Sequence, residues 1–228
     1  MGGFFHTICD YIAPKRCIGC GTMDTWMCSS CIQKNLAIQH IPFDQAVTQA
    51  LHIHSLTTIG AYGNPFWRKA ITQLKFQYTV EMAPLLSLLL RETLLRHTTI
   101  LQHAAQHHRK ICVLPLPAHP KRLRERGFNQ TELIARSFHL PPHCVLYPHA
   151  LQKIRYTHSQ THFDYTTRFT NIAGTIGINQ NMVLQELRSS IIILIDDVIT
   201  TGATIREAAQ ALSTVQPSEI HALAIARG

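Results

Sequence analysis

The stretch Ile191-Ile192-Ile193-Leu194-Ile195-Asp196-Asp197-Val198-Ile199-Thr200-Thr201-Gly202-Ala203-Thr204 decides the fold. Its opening residues are Ile or Leu without a polar interruption, the pattern of a strand buried on both faces of a parallel sheet. The run stops at two adjacent carboxylates, Asp196 and Asp197, and then turns through Thr and Gly. Beyond the turn, Ile205, Ala208, Ala209 and Leu212 fall at i, i+3, i+4 and i+7, the buried stripe of a helix. Strand, polar turn and helix in this order predict an α/β fold with a ligand site at the carboxyl end of the strand.

The turn has the chemistry of an anion cradle. Thr200, Thr201, Gly202, Ala203 and Thr204 offer hydroxyls and backbone N–H groups where a helix begins. A helix start carries unpaired donors and partial positive charge, so it holds a phosphate. Gly202 lets the backbone approach closely, having no Cβ. Asp196 and Asp197 would repel that anion if they shared its cradle. Their place is beside it, accepting hydrogen bonds from sugar hydroxyls, directly or through a metal-bound water. The ligand these residues imply is a ribose bearing a 5′-phosphate.

An apolar run, two acids and Thr-Gly-x-Thr resemble the phosphoribosyl-pyrophosphate (PRPP) signature of type I phosphoribosyltransferases. That resemblance implies PRPP as ligand, with Mg2+ accompanying it. Other phosphate chemistries lack their residues. The chain has no G-x-x-x-x-G-K-[ST] loop. The haloacid-dehalogenase pattern needs an Asp two places after its nucleophile, where Val198 stands.

A chain of 228 residues suits one α/β domain with a small appendage. Lys and Arg outnumber Asp and Glu by 21 to 13, a net charge of +8 that favours anionic partners. Its longest apolar runs, such as Ala83 to Leu90, are too short to span a bilayer. No basic, small-residue-terminated leader is legible, so the expected location is cytoplasmic.

Four of the seven cysteines, Cys17, Cys20, Cys28 and Cys31, are spaced C-x2-C-x7-C-x2-C. Two such pairs supply the thiolates of a tetrahedral zinc site, here a structural Zn2+. Disulfides are disfavoured in a reducing compartment, and a thioredoxin-like pair lacks its βαβ surroundings. A module this short depends on metal for its folding. Cys112 and Cys144 read as small core residues, and Cys9 as a spare ligand at most. His97, His103, His107 and His108 are irregularly spaced and read as a solvated face rather than a metal site.

Between the motifs, a polar connector is expected from Cys31 to about Ala50, then a strand over Thr57 to Tyr62. Pro65 opens a helix with Trp67, Ala70, Ile71 and Leu74 on its apolar face, leaving Lys69 and Lys75 as solvated flank residues rather than phosphate contacts. A Leu-rich helix spans Met82 to Arg96, and Ile111 to Leu116 is another buried strand. Between Arg109 and Gln130 the only acid is Glu125, against six Lys and Arg residues. A basic segment after a sheet strand fits pyrophosphate.

The early Cys-x-x-Cys pairs, Pro115-Leu116-Pro117, and Arg124-Glu125-Arg126-Gly127-Phe128-Asn129-Gln130 together resemble the ComF family of competence proteins. Lys153-Ile154-Arg155-Tyr156-Thr157-His158-Ser159-Gln160, with Arg168, Asn171 and the final Ala226-Arg227, extend the likeness over nearly the whole chain. Lys153 departs from it, since the family usually has Arg there. The resemblance implies a type I phosphoribosyltransferase-like parallel sheet flanked by helices, with a small four-cysteine zinc-binding module over residues 1–45 and the transferase-like domain over 46–228. It places a pyrophosphate loop at Ala118, His119, Lys121 and Arg122, and a flap from Gln152 to Asn171 carrying Lys153 and Arg155. Asp164 is the nearest flap acid to a general base, though a weak candidate.

The implied reaction is displacement at the anomeric carbon, releasing pyrophosphate to a nitrogen nucleophile that the sequence does not identify. The rival function is that of a non-catalytic binding protein: single-stranded DNA engaged by the basic surface, with PRPP as a regulatory ligand. Other competence proteins are the further partners that the family implies.

Overall fold

The computed structural model describes residues 14–42, 45–76, 79–139, 141, 143–154, 174–179 and 184–228. Cys9, Arg155, Asp164, Arg168 and Asn171, with most of the expected flap, lie outside the described residues.

The helices are α1 (Ser29–Asn35), α2 (Ala46–Leu51), α3 (Pro65–Phe76), α4 (Met82–His97), α5 (Ile100–Gln106), α6 (Pro120–Arg126), α7 (Gln130–Arg136) and α8 (Ala203–Ser213). The strands are β1 (Gln39–Pro42), β2 (Ser55–Ala61), β3 (Ile111–Pro115), β4 (Cys144–Leu146), β5 (Leu151–Lys153), β6 (Ile176–Ile178), β7 (Ile191–Ile199) and β8 (Glu219–Arg227). Six of them form one sheet in the order β1-β2-β8-β7-β3-β4. Every pairing is parallel except β1 with β2. The pair β5–β6 is a separate antiparallel hairpin.

β7 runs through the middle of the sheet, and its alternation sorts the core into two layers. Ile191, Ile193 and Ile195 pack with Trp67, Leu86, Leu90, Ile100 and Ile134, so α3, α4, α5 and α7 cover one face. Ile192 and Leu194 pack with Leu51, Ile205, Ala208 and Leu212, so α2 and α8 cover the other. The unbroken apolar run is thus the sequence signature of a central strand covered on both sides. The helical stripe after the turn is buried as its spacing predicts.

Three elements differ from the sequence reading. The polar connector after Cys31 holds the end of α1, then β1 and most of α2, and β1 pairs with β2 as an edge strand. It was invisible because its residues are mostly exposed and show no apolar alternation. β2 begins at Ser55, two residues before the expected start. β7 does not stop at the acids but pairs with β8 as far as Ile199 with Arg227, so both carboxylates are strand residues. No helix among the described residues is long and apolar enough to cross a membrane.

Candidate functional site

The cradle forms where β7 runs into α8. Ile199 closes the strand, Gly202 adopts φ 73°, ψ 4° as the residue before the helix, and Ala203 starts it. Two constraints make position 202 glycine. Its φ lies in the left-handed region, and a Cβ there would stand 2.5 Å from Leu51 Cδ2 of the helix packed behind it. Thr201 Oγ1 accepts weakly from the Ala203 N–H at 3.4 Å across the bend. A cavity of about 130 Å³ is lined by Asp196 and by residues from Val198 through Ile205. One water needs roughly 10–15 Å³ of such space, so a phosphoryl group has room. The structure therefore brings together Thr200, Thr201, Gly202, Ala203, Thr204 and Asp196 around one hollow.

The two acids part company. Neighbouring strand residues face opposite sides of a sheet. Asp196 follows Ile192 and Leu194 to the α8 side, where the hollow is. Asp197 follows Ile193 and Ile195 to the α3 side and is buried. There its Oδ2 takes a hydrogen bond from Gln130 Nε2 at 3.0 Å and an ion pair from Lys75 Nζ at 2.7 Å. Arg126 donates to Gln130 Oε1 at 3.3 Å, and its guanidinium lies 4.7 Å from the centre of the Phe76 ring.

Lys75, read from the sequence as a solvated flank residue, is instead the counter-charge of Asp197, with its side chain only 16% exposed. Lys69 stays exposed, as its flank position predicts, with its Nζ donating to Ile18 O at 3.3 Å. The missed signal was spacing. Trp67, Ile71 and Lys75 stand at i, i+4 and i+8, which puts the lysine on the buried stripe. The Arg-Gly-Phe-Asn-Gln segment is likewise partly internal wiring. Beyond Arg126 and Gln130, Asn129 Nδ2 and Thr131 Oγ1 both donate to Leu116 O, holding the segment against the end of β3.

Asp196 is electrostatically distinct. Burial pushes its carboxyl upward, the nearby Asp197 charge adds to this, and Lys75, the Asp197 N–H and Lys153 oppose it, leaving it at about 7. The Asp197 N–H donates to Asp196 Oδ1 at 2.8 Å, so the backbone between the acids fixes the orientation of the first.

The cations expected for pyrophosphate are not all in a loop. Ala118 is in the loop after β3, but Pro120 begins α6, with His119 as its N-cap and Lys121 and Arg122 in its first turn. His119 Nδ1 accepts from the Lys121 N–H at 3.1 Å. Lys153 ends β5 opposite Ile176. Burial lowers the Lys153 ammonium, with Arg122 adding to the effect and Asp196 opposing it. His119 is lowered by burial and then by Lys153, Arg122, Arg124 and Lys121. Arg122 of α6 thus acts on Lys153 of β5, and Lys153 in turn on Asp196. Among the histidines noted in the sequence, His103 is not mere solvated surface: its Nδ1 lies 2.6 Å from Glu219 Oε1.

Residues 149–228, from the approach to β5 through β8, match the phosphoribosyl transferase domain family. The chain is 30% identical over 175 residues to the DNA utilization protein YhgH of Shigella flexneri, covering 76% of this chain and 72% of that protein. The YhgH protein of Escherichia coli K12 matches to the same extent. Competence protein F of Haemophilus influenzae is 26% identical over 178 residues, 75% of this chain and 72% of that protein. The chain belongs to the ComF family, within the type I phosphoribosyltransferases.

The paired cysteines that form part of the ComF likeness meet at one point. Their four Sγ atoms all lie within 4.8 Å of one another, and the Cys20 and Cys28 sulfurs are 3.7 Å apart. Zn–S bonds of about 2.3 Å in a tetrahedron require sulfurs roughly 3.8 Å apart, so the four thiols fit zinc. Their ionisation is uneven. Cys31 is pushed up to about 12, first by its hydrogen bond with Cys28, then by burial, Cys20 and Cys17. Burial would raise Cys17, but N–H donors from Cys28, Cys20 and Gly19 overcome it and bring the thiol to about 6. The lowered Cys17 thiol supplies a thiolate, the form that ligates a metal, beside a Cys31 that ionises with difficulty. The knuckle is part of the core: Ile18 and Met27 pack in the same cluster as Phe66 and Trp67.

Proposed function

We propose that this ComF protein binds Mg2+·PRPP at the end of β7 and transfers its phosphoribosyl group, releasing pyrophosphate, in the handling of DNA taken up by the cell. The observation that carries this reading is the phosphate-sized hollow lined by residues 198–205 with Asp196 on its rim. Thr200, Thr201, Gly202, Ala203 and Thr204 would hold the 5′-phosphate with N–H and hydroxyl donors. Asp196 would accept from a ribose hydroxyl, directly or through a water on Mg2+. Asp197 would act behind it, fixing the backbone that aims Asp196. His119, Lys121, Arg122, Lys153 and Arg155 would stabilise the departing pyrophosphate. Catalysis of this kind comes from positioning and charge stabilisation more than from a base. Zinc at Cys17, Cys20, Cys28 and Cys31 would supply structural support only. The DNA connection rests on the names of the relatives, DNA utilization protein and competence protein, and the reading takes the work to be cytoplasmic. The chain divides in this reading into a zinc module, 1–45, whose last strand is lent to the sheet, and the transferase-like domain, 46–228.

Calorimetry with Mg2+·PRPP tests it. Bound ligand favours the Asp196 carboxylate, and the free carboxyl titrates at about 7. Affinity should therefore fall as pH drops below 7, by up to about tenfold per unit, and level off above. Asp196→Asn should weaken binding at pH 8 and abolish the step. In the absence of ligand the sign reverses. The carboxyl is raised in the folded state, so its contribution to stability is fully present below 3.8 and is lost as pH rises through 7. No heat from Mg2+·PRPP at pH 8 would sink the reading.

A second reading is favoured by the net charge of +8 and by Phe76, 62% exposed and backed by Arg126 next to the acid pair. Basic surface with an aromatic platform suits single-stranded DNA, with PRPP as a regulator. Filter binding of an oligonucleotide should then weaken steeply between 50 and 200 mM salt, by about 10³-fold or more if six phosphates are contacted. Absence of binding at the lower salt removes this reading.

A further inference from the structure

One helix touches both the acid pair and the cysteine knuckle. At the amino end of α3, Phe66 and Cys31 crowd Gly19, where a Cβ would meet Cys31 Sγ at 2.7 Å and Phe66 Cδ2 at 3.3 Å. Trp67 Nε1 donates to Asn35 O at 2.8 Å, at the end of the helix that carries Cys31. Lys69 Nζ donates to Ile18 O at 3.3 Å, between the cysteines of the first pair. At the carboxyl end, Lys75 meets Asp197. Trp67, Ala70, Ile71 and Leu74 are fully buried between these ends, so the helix has little freedom to bend. Its twelve residues span about 18 Å at 1.5 Å per residue.

We propose that α3 is a strut through which the metal-loaded knuckle sets the position of Asp197, with Lys75 as the positioning residue. Zinc fixes the loop at Ile18 and the start of the helix bearing Cys31, and these are the surfaces on which α3 is seated. The far end delivers an ammonium to a buried carboxylate. Lys75 is the only ion-pair partner of Asp197 among the described residues. Asp197 in turn donates its N–H to Asp196. Loss of the metal therefore loosens the aim of the carboxylate that faces the hollow. The consequence for ligand affinity rests on the PRPP reading above; the coupling itself does not.

Gln130 provides a reporter independent of ligand, because its Nε2 donates to Asp197 Oδ2. The experiment follows the Gln130 side-chain amide by ¹H–¹⁵N NMR in the zinc-loaded full chain. Lys75→Met should move this resonance and Lys75→Arg should largely restore it. Stripping zinc with a chelator should move it in the wild type and should move it no further in Lys75→Met. Mg2+·PRPP affinity should track these shifts, falling about tenfold, the equivalent of 1.4 kcal/mol, in Lys75→Met. If circular dichroism shows that stripping melts the protein, Phe66→Leu in the zinc-loaded chain replaces it, and the same non-additivity with Lys75→Met is required. Equal shifts in the two backgrounds, or none in the wild type, overturn the strut. The expected Gln130 behaviour without any heat from Mg2+·PRPP leaves the strut standing and refutes the proposed function instead.

Discussion

Asp197→Asn will destabilise the fold by about 3 kcal/mol in urea unfolding, the lower end of the 3–5 kcal/mol expected when a buried ion pair loses one member. Asparagine matches aspartate in shape, so little packing is lost. What changes is charge: the Lys75 ammonium, 16% exposed and 2.7 Å from the carboxylate, is left without its partner. That residual exposure of Lys75 gives it some water, which sets the figure at the low end. Lys75→Met in the same chain should recover much of the loss, because a neutral pair no longer strands a charge. With total stabilities of about 5–15 kcal/mol, the single change removes a large share of the margin. If Asp197 were a freely solvated ligand-binding acid, as its twin placement beside Asp196 suggests, the substitution would stay within about 0.5 kcal/mol. The measurement thus separates the roles of two residues that the sequence presents as equivalent.

That equivalence shows where sequence reading reaches its limit. The strand, the turn and α8 were legible because each depends on local pattern: an apolar run, an αL-tolerant glycine, and a stripe at helical spacing. The acids read as equivalent because the strand is expected to stop at them, whereas β7 continues to Ile199 and alternation turns them to opposite faces. Which side holds the hollow, however, depends on which helices cross there. The partners of Asp197 come from α3 and α7, remote in the chain, and no local pattern joins Lys75 or Gln130 to it. β1 was missed because an edge strand with mostly exposed residues carries no burial pattern. Four of the fifteen histidines have a structural explanation that composition hides. His52, His108, His139 and His143 all adopt positive φ, a backbone region that histidine enters more readily than most side chains. Composition could not show this, since it appears only once the turns are formed.

Cys20→Ser is the sharpest test of the knuckle, because Cys20 is exposed and its thiol contributes no burial. In a protein where the four sulfurs merely happen to be close, exchanging a surface thiol for a hydroxyl would change stability by no more than about 0.5 kcal/mol. In a protein where they hold zinc, the exchange removes one of four ligands. Metal affinity should fall by more than about a hundredfold, since even outer-shell changes around a metal cost about 10–100-fold. Zinc content measured by elemental analysis should drop from one per chain toward zero. Stability should then fall by about 2.7 kcal/mol or more for every hundredfold of metal saturation lost, because a ligand that binds only the folded state stabilises it by mass action. The loss should reach beyond the knuckle. Ile18 and Met27 belong to the cluster that contains Trp67 and Leu74, and Trp26 Nε1 and Lys15 both bind Glu81 just before α4. Hydrogen exchange should accordingly quicken in α3 and at the start of α4, while β7 and β8, nine residues each and paired in the centre of the sheet, keep their protection. A Cys20→Ser protein with wild-type stability and unchanged exchange in α3 would mean that the four thiols are a cluster without a metal.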